Sequence, residues 1–523
     1  MRLPVVSICV VCLGLSLFVT SCNPEDIDNP VEPKELSKRP FFSSFSFLKE
    51  YNASLSHDFK GDIIGDSLIL INCYKVNEVV SLIPSFEGNY VSVDINGVNQ
   101  SSGITPNNYT DSLTYHLTDS LGNEASYKVI VNAFNGVPRI DIHTEGAADI
   151  VSKDTYIGAT LTISNNLKHG GNGTYACEIR GRGNATWNNH PKKPYKIKLK
   201  EKANLFRFHT DKDWVLLAEY CDKSLMRSAY IFGLSKIANL PYTVNLQYAD
   251  LYLNDEYRGT YILTEQVEIE KYRVALESDG YLIEDDLYYD REPLYFTTSK
   301  CGYNYTFKYP KPDKGEIAKD DEKYTYINSF MNEFEEALYS DNFKDPDTGY
   351  RKYIDTQSFV RWFLATELPG NLEPNLFYYL EKRGDKLHLG PIWDAEWSLG
   401  LAARGGDFYG WYLYPYEAKY DIEIWGKNKY FTRLFEDPYF TSLLKQEWKE
   451  MKQRIDGFKA EMAVCRNYIE YTQEDNFIKW PILDEYVSVG LIALGSWEAE
   501  VDYIEKFFEK RLDWFDGYIN ALQ

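Results

Sequence analysis

The chain has 523 residues, a formal net charge of −22 and 44% hydrophobic residues. That is enough apolar material for two or three cores, and too acidic a balance for nucleic-acid binding, which needs clustered Lys and Arg. Eight cysteines and seven histidines are scattered with no HExxH and no ligand spacing, so neither a structural zinc site nor a disulfide framework is expected.

Met1-Arg2 precedes an apolar run, Val5 to Val19. The run falls short of the roughly 20 residues that span a bilayer and suits a signal-peptide core. It ends in Val19-Thr20-Ser21-Cys22, small residues then cysteine, the pattern of a lipoprotein signal. The expectation is that residues 1–21 are removed and Cys22 is lipidated, each buried methylene of the lipid adding about 0.8 kcal/mol of anchoring. Residues 22–39 then form a tether, because Pro24, Pro30, Pro33 and the acids among them cannot bury a core. The expected partner is the lipid membrane. The expected location is that of an exported bacterial lipoprotein, in the outer membrane and facing the periplasm or the cell surface.

Residues 40–136 read as strands. Phe41, Phe45 and Phe47 partly alternate with polar residues, and Ser67–Asn72, Tyr90–Asn96 and Ala125–Asn132 follow, separated by turn pairs such as Asn96-Gly97 and Gly122-Asn123. Short alternating strands at this spacing predict a β-sandwich. The segment resembles the Ig-like domains that follow the tether in bacterial surface lipoproteins, which implies a spacer or a binding module.

Residues 137–523 begin with mixed strands and helices and end mainly helical, an α+β layout. Strands are expected around Asp141, Ala159–Ile163, Tyr195–Leu199, Tyr248–Leu253 and Tyr261–Leu263. Ser224 to Leu240 reads as a helix with Ser224 as its N-cap and Pro241 as its terminator. Val501, Ile504, Phe508, Leu512, Phe515 and Ile519 predict a final amphipathic helix with one buried stripe.

Five stretches suggest chemistry. Arg180-Gly-Arg-Gly-Asn-Ala-Thr-Trp187 with Pro191-Lys-Lys-Pro-Tyr-Lys-Ile-Lys-Leu199 combines a glycine turn, whose amides can approach an anion, with clustered cations. On the strand, Lys196 and Lys198 share one face, free to meet phosphate while Tyr195, Ile197 and Leu199 pack. The others are Asp213–Arg227, Tyr248–Glu265, Gly280–Asp286, and Thr366–Asn375 followed by Gly390-Pro-Ile-Trp-Asp-Ala-Glu-Trp-Ser-Leu-Gly400.

Taken in order from Ile140 to the terminal Lys510-Arg-Leu-Asp-Trp-Phe515, these stretches resemble the CotH kinase family. The resemblance implies an atypical protein-kinase-like domain, with a strand-rich N-lobe and a helix-rich C-lobe, that binds ATP with Mg²⁺ or Mn²⁺ and phosphorylates Ser or Thr of a protein substrate. It assigns Glu373, Asn371 and Asn375 to the catalytic loop and Asp394 and Glu396 to the metal. Arg180, Arg182, Lys193, Lys196, Lys198 and Arg227 become candidate clamps on the nucleotide, and Glu265 a hinge-like contact to adenine. The family has Asp where Glu373 and Glu396 stand. The extra methylene moves each carboxylate by roughly 1 Å, a displacement that can cost about 10²-fold in rate. The alternatives are a pseudokinase kept for binding or assembly, and a glycan-associated surface protein suggested by Trp411, Tyr412, Tyr414 and Tyr416.

Overall fold

The computed structural model describes residues 39–55, 57–74, 79–134, 136–166, 170–372, 374–394, 396–401, 429–487 and 493–522. Cys22 and the tether, Glu373, and the aromatic run 411–416 lie outside the described residues. The chain separates into two compact units, Met1–Gly136 and Val137–Gln523.

In the described part of the first unit the structure is all β. Strands β1 (Phe41–Phe47), β2 (Phe59–Lys60) and β5 (Ser85–Asn89) form one sheet. Strands β3 (Asp62–Ile64), β4 (Leu68–Tyr74), β6 (Ser92–Ile95), β7 (Val98–Asn99), β8 (Leu113–Thr118) and β9 (Glu124–Phe134) form a second, in the order β3-β4-β9-β8-β6-β7. Asn96 and Gly97 both have positive φ, 51° and 79°, the backbone of the tight turn that joins β6 to β7. The expected alternation in β1 is corrected at its start. The register with β5 shifts between Phe42 and Ser44, so Phe41 is exposed and Phe42 joins Phe45 and Phe47 in the core. An extra residue in one strand reverses the face of everything before it. Phe42, Phe45, Phe86 and Tyr115 pack edge-on or stacked at centroid distances of 5.2–6.0 Å, each such pair adding about 0.5–1.5 kcal/mol beyond its buried area.

The second unit is a mixed α+β structure, rich in strands first and in helices later. A closed barrel runs through β10 (Arg139–Thr144), β11 (Ile157–Ser164), β12 (Gly173–Gly181), β13 (Tyr195–Asn204), β14 (Thr210–Leu217), β16 (Glu256–Glu265) and β15 (Leu246–Leu253). It closes by parallel pairing of β10 with β15, Arg139 opposite Asp250 through Ile142 opposite Leu253. Inward residues such as Ile142, Leu161, Ile179, Ile197, Trp214 and Leu263 fill it. A smaller sheet follows, in the order β18 (Tyr295–Thr297), β19 (Asn304–Tyr309), β17 (Tyr281–Asp285), β20 (Leu376–Leu380), β21 (His388–Leu389).

The helices are α1 (Ala185–Asn189), α2 (Arg227–Ile237), α3 (Glu322–Leu338), α4 (Thr356–Glu367), α5 (Lys429–Leu434), α6 (Pro438–Lys452), α7 (Ile455–Lys479) and α8 (Trp497–Ala521). Helices α2 to α8 share one large core with the smaller sheet, in which Trp362, Phe363, Trp448, Trp497, Phe508 and Phe515 are buried, whereas Trp187 of α1 packs on the barrel core. Burying a side chain of this size is worth about 1.5–3 kcal/mol. The helix expected from Ser224 begins at Arg227, and Ser224 is not its cap. The N-cap position is Met226, which makes no side-chain capping bond; Asp222 instead braces the turn before it, its Oδ2 accepting from the amide of Arg227 at 2.8 Å and its Oδ1 from the amide and hydroxyl of Ser224 at 3.0 and 2.5 Å. Among the described residues no helix is long and apolar enough to cross a membrane. Cys73, Cys177, Cys221, Cys301 and Cys465 are free thiols.

Candidate functional site

Where β14 ends, the chain turns through Ala218–Met226 into α2. Two residues of this turn, Glu219 and Leu225, have left-handed φ of 48° and 58°, a conformation that costs an L-residue about 1–3 kcal/mol and concentrates at functional sites. The turn sets the Glu219 carboxylate before the first turn of α2, where the Ser228 hydroxyl donates to it at 3.0 and 3.1 Å. Facing it, after β21, comes Pro391–Leu401. Here Asp394 also has left-handed φ, 57°, and Trp393 stacks on Phe232 of α2, centroids 6.3 Å apart. From beyond β12, Arg182 lays its guanidinium over the Trp393 ring at 5.7 Å.

These three segments line an open cleft walled by Arg182, Thr186, Pro194, Leu217, Ala218, Glu219, Ser228, Phe232, Trp393, Asp394 and Glu396. Apolar side chains and a few convergent charged groups make up its wall, as in small-molecule sites. Loss of hydration, reinforced by Asp222, pushes the Glu219 carboxyl up to about 8, against the pull of Ser228 and Lys192. Burial and then repulsion from Glu219 and Asp394 hold Glu396 well above the usual carboxylate range. Burial lowers the Arg182 guanidinium, opposed first by Asp394. Nearby, Lys192 donates to the Thr260 carbonyl at 2.6 Å and to Asn476 Oδ1 at 2.8 Å, and its burial draws it down to about 7. Carboxylates that raise one another's pKa form a set short of positive charge, and oxygen is the donor type a hard divalent cation takes, though among the described residues these three acids are not drawn within 4.8 Å of one another as Asp211, Asp213 and Glu268 are.

Asp394, Glu396 and Arg182 thus share the cleft. The other residues singled out in the sequence lie elsewhere or are already engaged. Asn371 is buried in the turn after α4, its amide bonded to the Thr366 carbonyl at 3.1 Å. Asn375 is half-buried just before β20, and neither lines the cleft. Arg180 donates to the Lys153 carbonyl and lies over Tyr156. Lys193 donates to the Trp187 carbonyl at 2.5 Å. Lys196 pairs with Asp213 at 3.1 Å, and Lys198 is exposed. The β13 face opposite the barrel core is therefore the outer wall and not the cleft. The Glu265 carboxylate is taken up by His209 at 2.8 Å and by Asn245 through two bonds of 3.0 Å.

Arg227 is a staple and not a clamp on an outside anion. Fully buried, it pairs with Asp222 at 2.5 Å, donates Nε to the Ser398 carbonyl at 2.9 Å and Nη2 to that of Leu399 at 3.3 Å. It thereby joins the Glu219 turn to the loop that carries Asp394 and Glu396. Sequence reasoning gave no role to Glu219, Ser228 or Asp222. The available signal was an acid-rich strand-to-helix junction, Glu219-Tyr-Cys-Asp-Lys-Ser224.

A separate acidic group, Asp211, Asp213 and Glu268, brings carboxylate oxygens within 4.8 Å of one another, close enough to hold a metal ion. Here each acid has a basic partner: Arg273 pairs with Asp211 and Glu268, and Lys196 with Asp213.

The model of the CotH kinase protein family matches residues 179–515, which contain the cleft, both of its turns and most of α8. The chain belongs to this family. Within the CotH match lie Arg182, Glu219, Asp394 and Glu396, whereas the first unit falls outside it. No curated protein matches the chain. Among solved structures, one from Bacteroides thetaiotaomicron, described as a proposed glycoside hydrolase, aligns at 12% identity over 51% of this chain and 66% of its own, with a TM-score of 0.16. The chain therefore spans just under two thirds of that structure, and a score so low carries no inference from it to this CotH chain.

Proposed function

We propose that the chain is a protein Ser/Thr phosphotransferase that binds Mg·ATP, or its Mn²⁺ equivalent, in the cleft of Arg182, Glu219, Asp394 and Glu396. The observation that supports this reading is the meeting of three acids and one guanidinium from segments distant in sequence, two of the acids held in left-handed backbone. Asp394 and Glu396, with Glu219, are the residues that would hold the cation. The cation, when bound, supplies charge neutralisation across acids and phosphates. Arg182 offers forked donors to phosphate oxygens, and Trp393, Phe232 and Leu217 exclude water beside them. While the cation is away, Glu219 keeps a proton on its carboxyl at neutral pH, which limits repulsion inside the cleft.

In the transfer itself, the bond from the γ-phosphorus to the bridging oxygen of ADP breaks and a bond to the acceptor hydroxyl oxygen forms. The hydroxyl proton passes to a carboxylate base. Glu373, supported by Asn371 and Asn375, is the base this reading names from the family pattern. Lipidation of Cys22 would hold the enzyme at the outer membrane, with the first unit as an Ig-like spacer or binding module.

Intact-mass measurement of the protein incubated with ATP and Mg²⁺ or Mn²⁺, with and without a panel of exported proteins, tests the proposal. Increments of about 80 Da in the parent or an acceptor, absent with Asp394→Ala, are expected. Absence of any increment with either metal would replace this reading by that of a pseudokinase used for binding or assembly.

A further inference from the structure

Trp497, Glu500, Tyr503, Phe507 and Arg511 recur at intervals of three or four residues, so they lie along one side of α8. Each meets a turn of the cleft or its support. The Trp497 indole donates to the Ser224 carbonyl at 2.9 Å, inside the turn that Asp222 braces. Glu500 lies 4.0 Å from Lys223 in the same turn, both side chains buried. At Gly400, φ is 71°, and a Cβ would stand 2.4 Å from Tyr503 Oη and 2.9 Å from the Phe507 ring. The loop carrying Asp394 and Glu396 therefore lies directly against the helix. Arg511, fully buried, donates to the carbonyls of Leu368 and Glu367 at 3.1 and 2.6 Å and to Glu367 Oε1 at 3.0 Å. The turns are also tied to one another: Arg227 to Ser398, Leu399 N–H to the Pro369 carbonyl at 2.9 Å, and Leu372 N–H to the Trp397 carbonyl at 3.0 Å.

We infer that α8 is the positioning element of the site: one face of this helix sets the register of the three turns 222–226, 367–372 and 397–400, and Arg511 and Trp497 are its positioning residues. The functional half of this inference rests on the phosphotransfer reading above; the mechanical half does not. It absorbs the terminal Lys510-Arg-Leu-Asp-Trp motif, to which the cleft chemistry gives no part.

The test compares full-length Trp497→Phe, Arg511→Lys and Arg511→Met with a matched control, Trp448→Phe. Trp448 is also buried and also bonds α8, through Asp516 Oδ1 at 2.8 Å, but on the side turned away from the cleft. Amide hydrogen exchange below the unfolding transition is expected to rise about tenfold in 367–372 and 397–400 for Arg511→Met, less for Arg511→Lys, and in 222–226 for Trp497→Phe. The control leaves these amides unchanged. In phosphotransfer, the site variants lower kcat about tenfold or more with KM for ATP held within about twofold, as displaced groups do, and the control does neither. Exchange confined to α8, or an equal rise in the control, would overturn the inference. A parent that transfers nothing while the exchange pattern holds refutes the phosphotransfer reading and leaves α8 as the organiser of the cleft.

Discussion

Arg227→Met isolates the buried staple. Arg227 and Asp222 are both fully buried, so removing the guanidinium leaves a carboxylate with no counter-charge and takes one donor each from the carbonyls of Ser398 and Leu399. Breaking a buried pair from one side costs about 3–5 kcal/mol. Most of that is the stranded charge, because the amides of Ser224 and Arg227 still bond Asp222. Adding Asp222→Asn removes the charge but keeps an acceptor for only one of those two amides, so Asp222→Asn/Arg227→Met is expected to be more stable than Arg227→Met alone by about 1 kcal/mol. All 11 tryptophans lie beyond residue 136, so equilibrium urea unfolding followed by tryptophan fluorescence reads the second unit directly. A double variant no more stable than the single one, or a single variant costing under about 1 kcal/mol, would refute the assignment of Arg227 as the counter-charge of a dry carboxylate.

Glu219 carries a pH signature. With its folded pKa near 8, above the ordinary value of 4.5, the folded state retains a proton the unfolded chain releases, so stability falls as pH rises from about 4.5 through about 8. Glu219→Gln has no proton to lose; its melting temperature relative to the parent should climb over that window and level off above it, and a constant difference would contradict the shift. Saturating Mg·AMP-PNP at about 100 times its Kd should stabilise the parent by about 2.7 kcal/mol in a thermal-shift assay, and far less in Asp394→Asn/Glu396→Gln. At Gly181 a Cβ would stand 2.4 Å from the Trp187 ring. Gly181→Ala should therefore cost about 1–3 kcal/mol in the same urea assay and weaken nucleotide binding by moving the adjacent Arg182.

Period-two alternation announced most barrel strands, since a strand with one face in a closed core must alternate. Tyr195, Ile197 and Leu199 are buried as read. The pattern fixed that Lys196 and Lys198 share the other face, yet carried no information on whether that face meets the cleft or solvent, which depends on the barrel's closure. The stripe Val501–Ile519 is likewise the buried side of α8, whereas Arg511 within it is a charge whose partner, Glu367, is 144 residues away. Such pairings leave no local trace. The N-cap of α2 falls at Met226 and not Ser224 because the chain makes a left-handed step at Leu225 before the helix starts, a detail invisible to propensity. Arg182, Asp394 and Glu396 were legible through their motifs, and Glu219 became a site residue only once its turn was folded against them.

The barrel's parallel seam has a consequence for how the molecule is made. Its first strand, β10, hydrogen-bonds to β15, which the ribosome delivers more than a hundred residues later. Until Leu246–Leu253 emerges, β10 has only β11 beside it, and the nascent sheet keeps an open edge able to recruit neighbouring chains. Long-range closure of this kind is slow relative to helix formation. The interval between synthesis of Arg139–Thr144 and of Leu246–Leu253 is thus one in which the chain is exposed to aggregation and a holding chaperone would raise its yield.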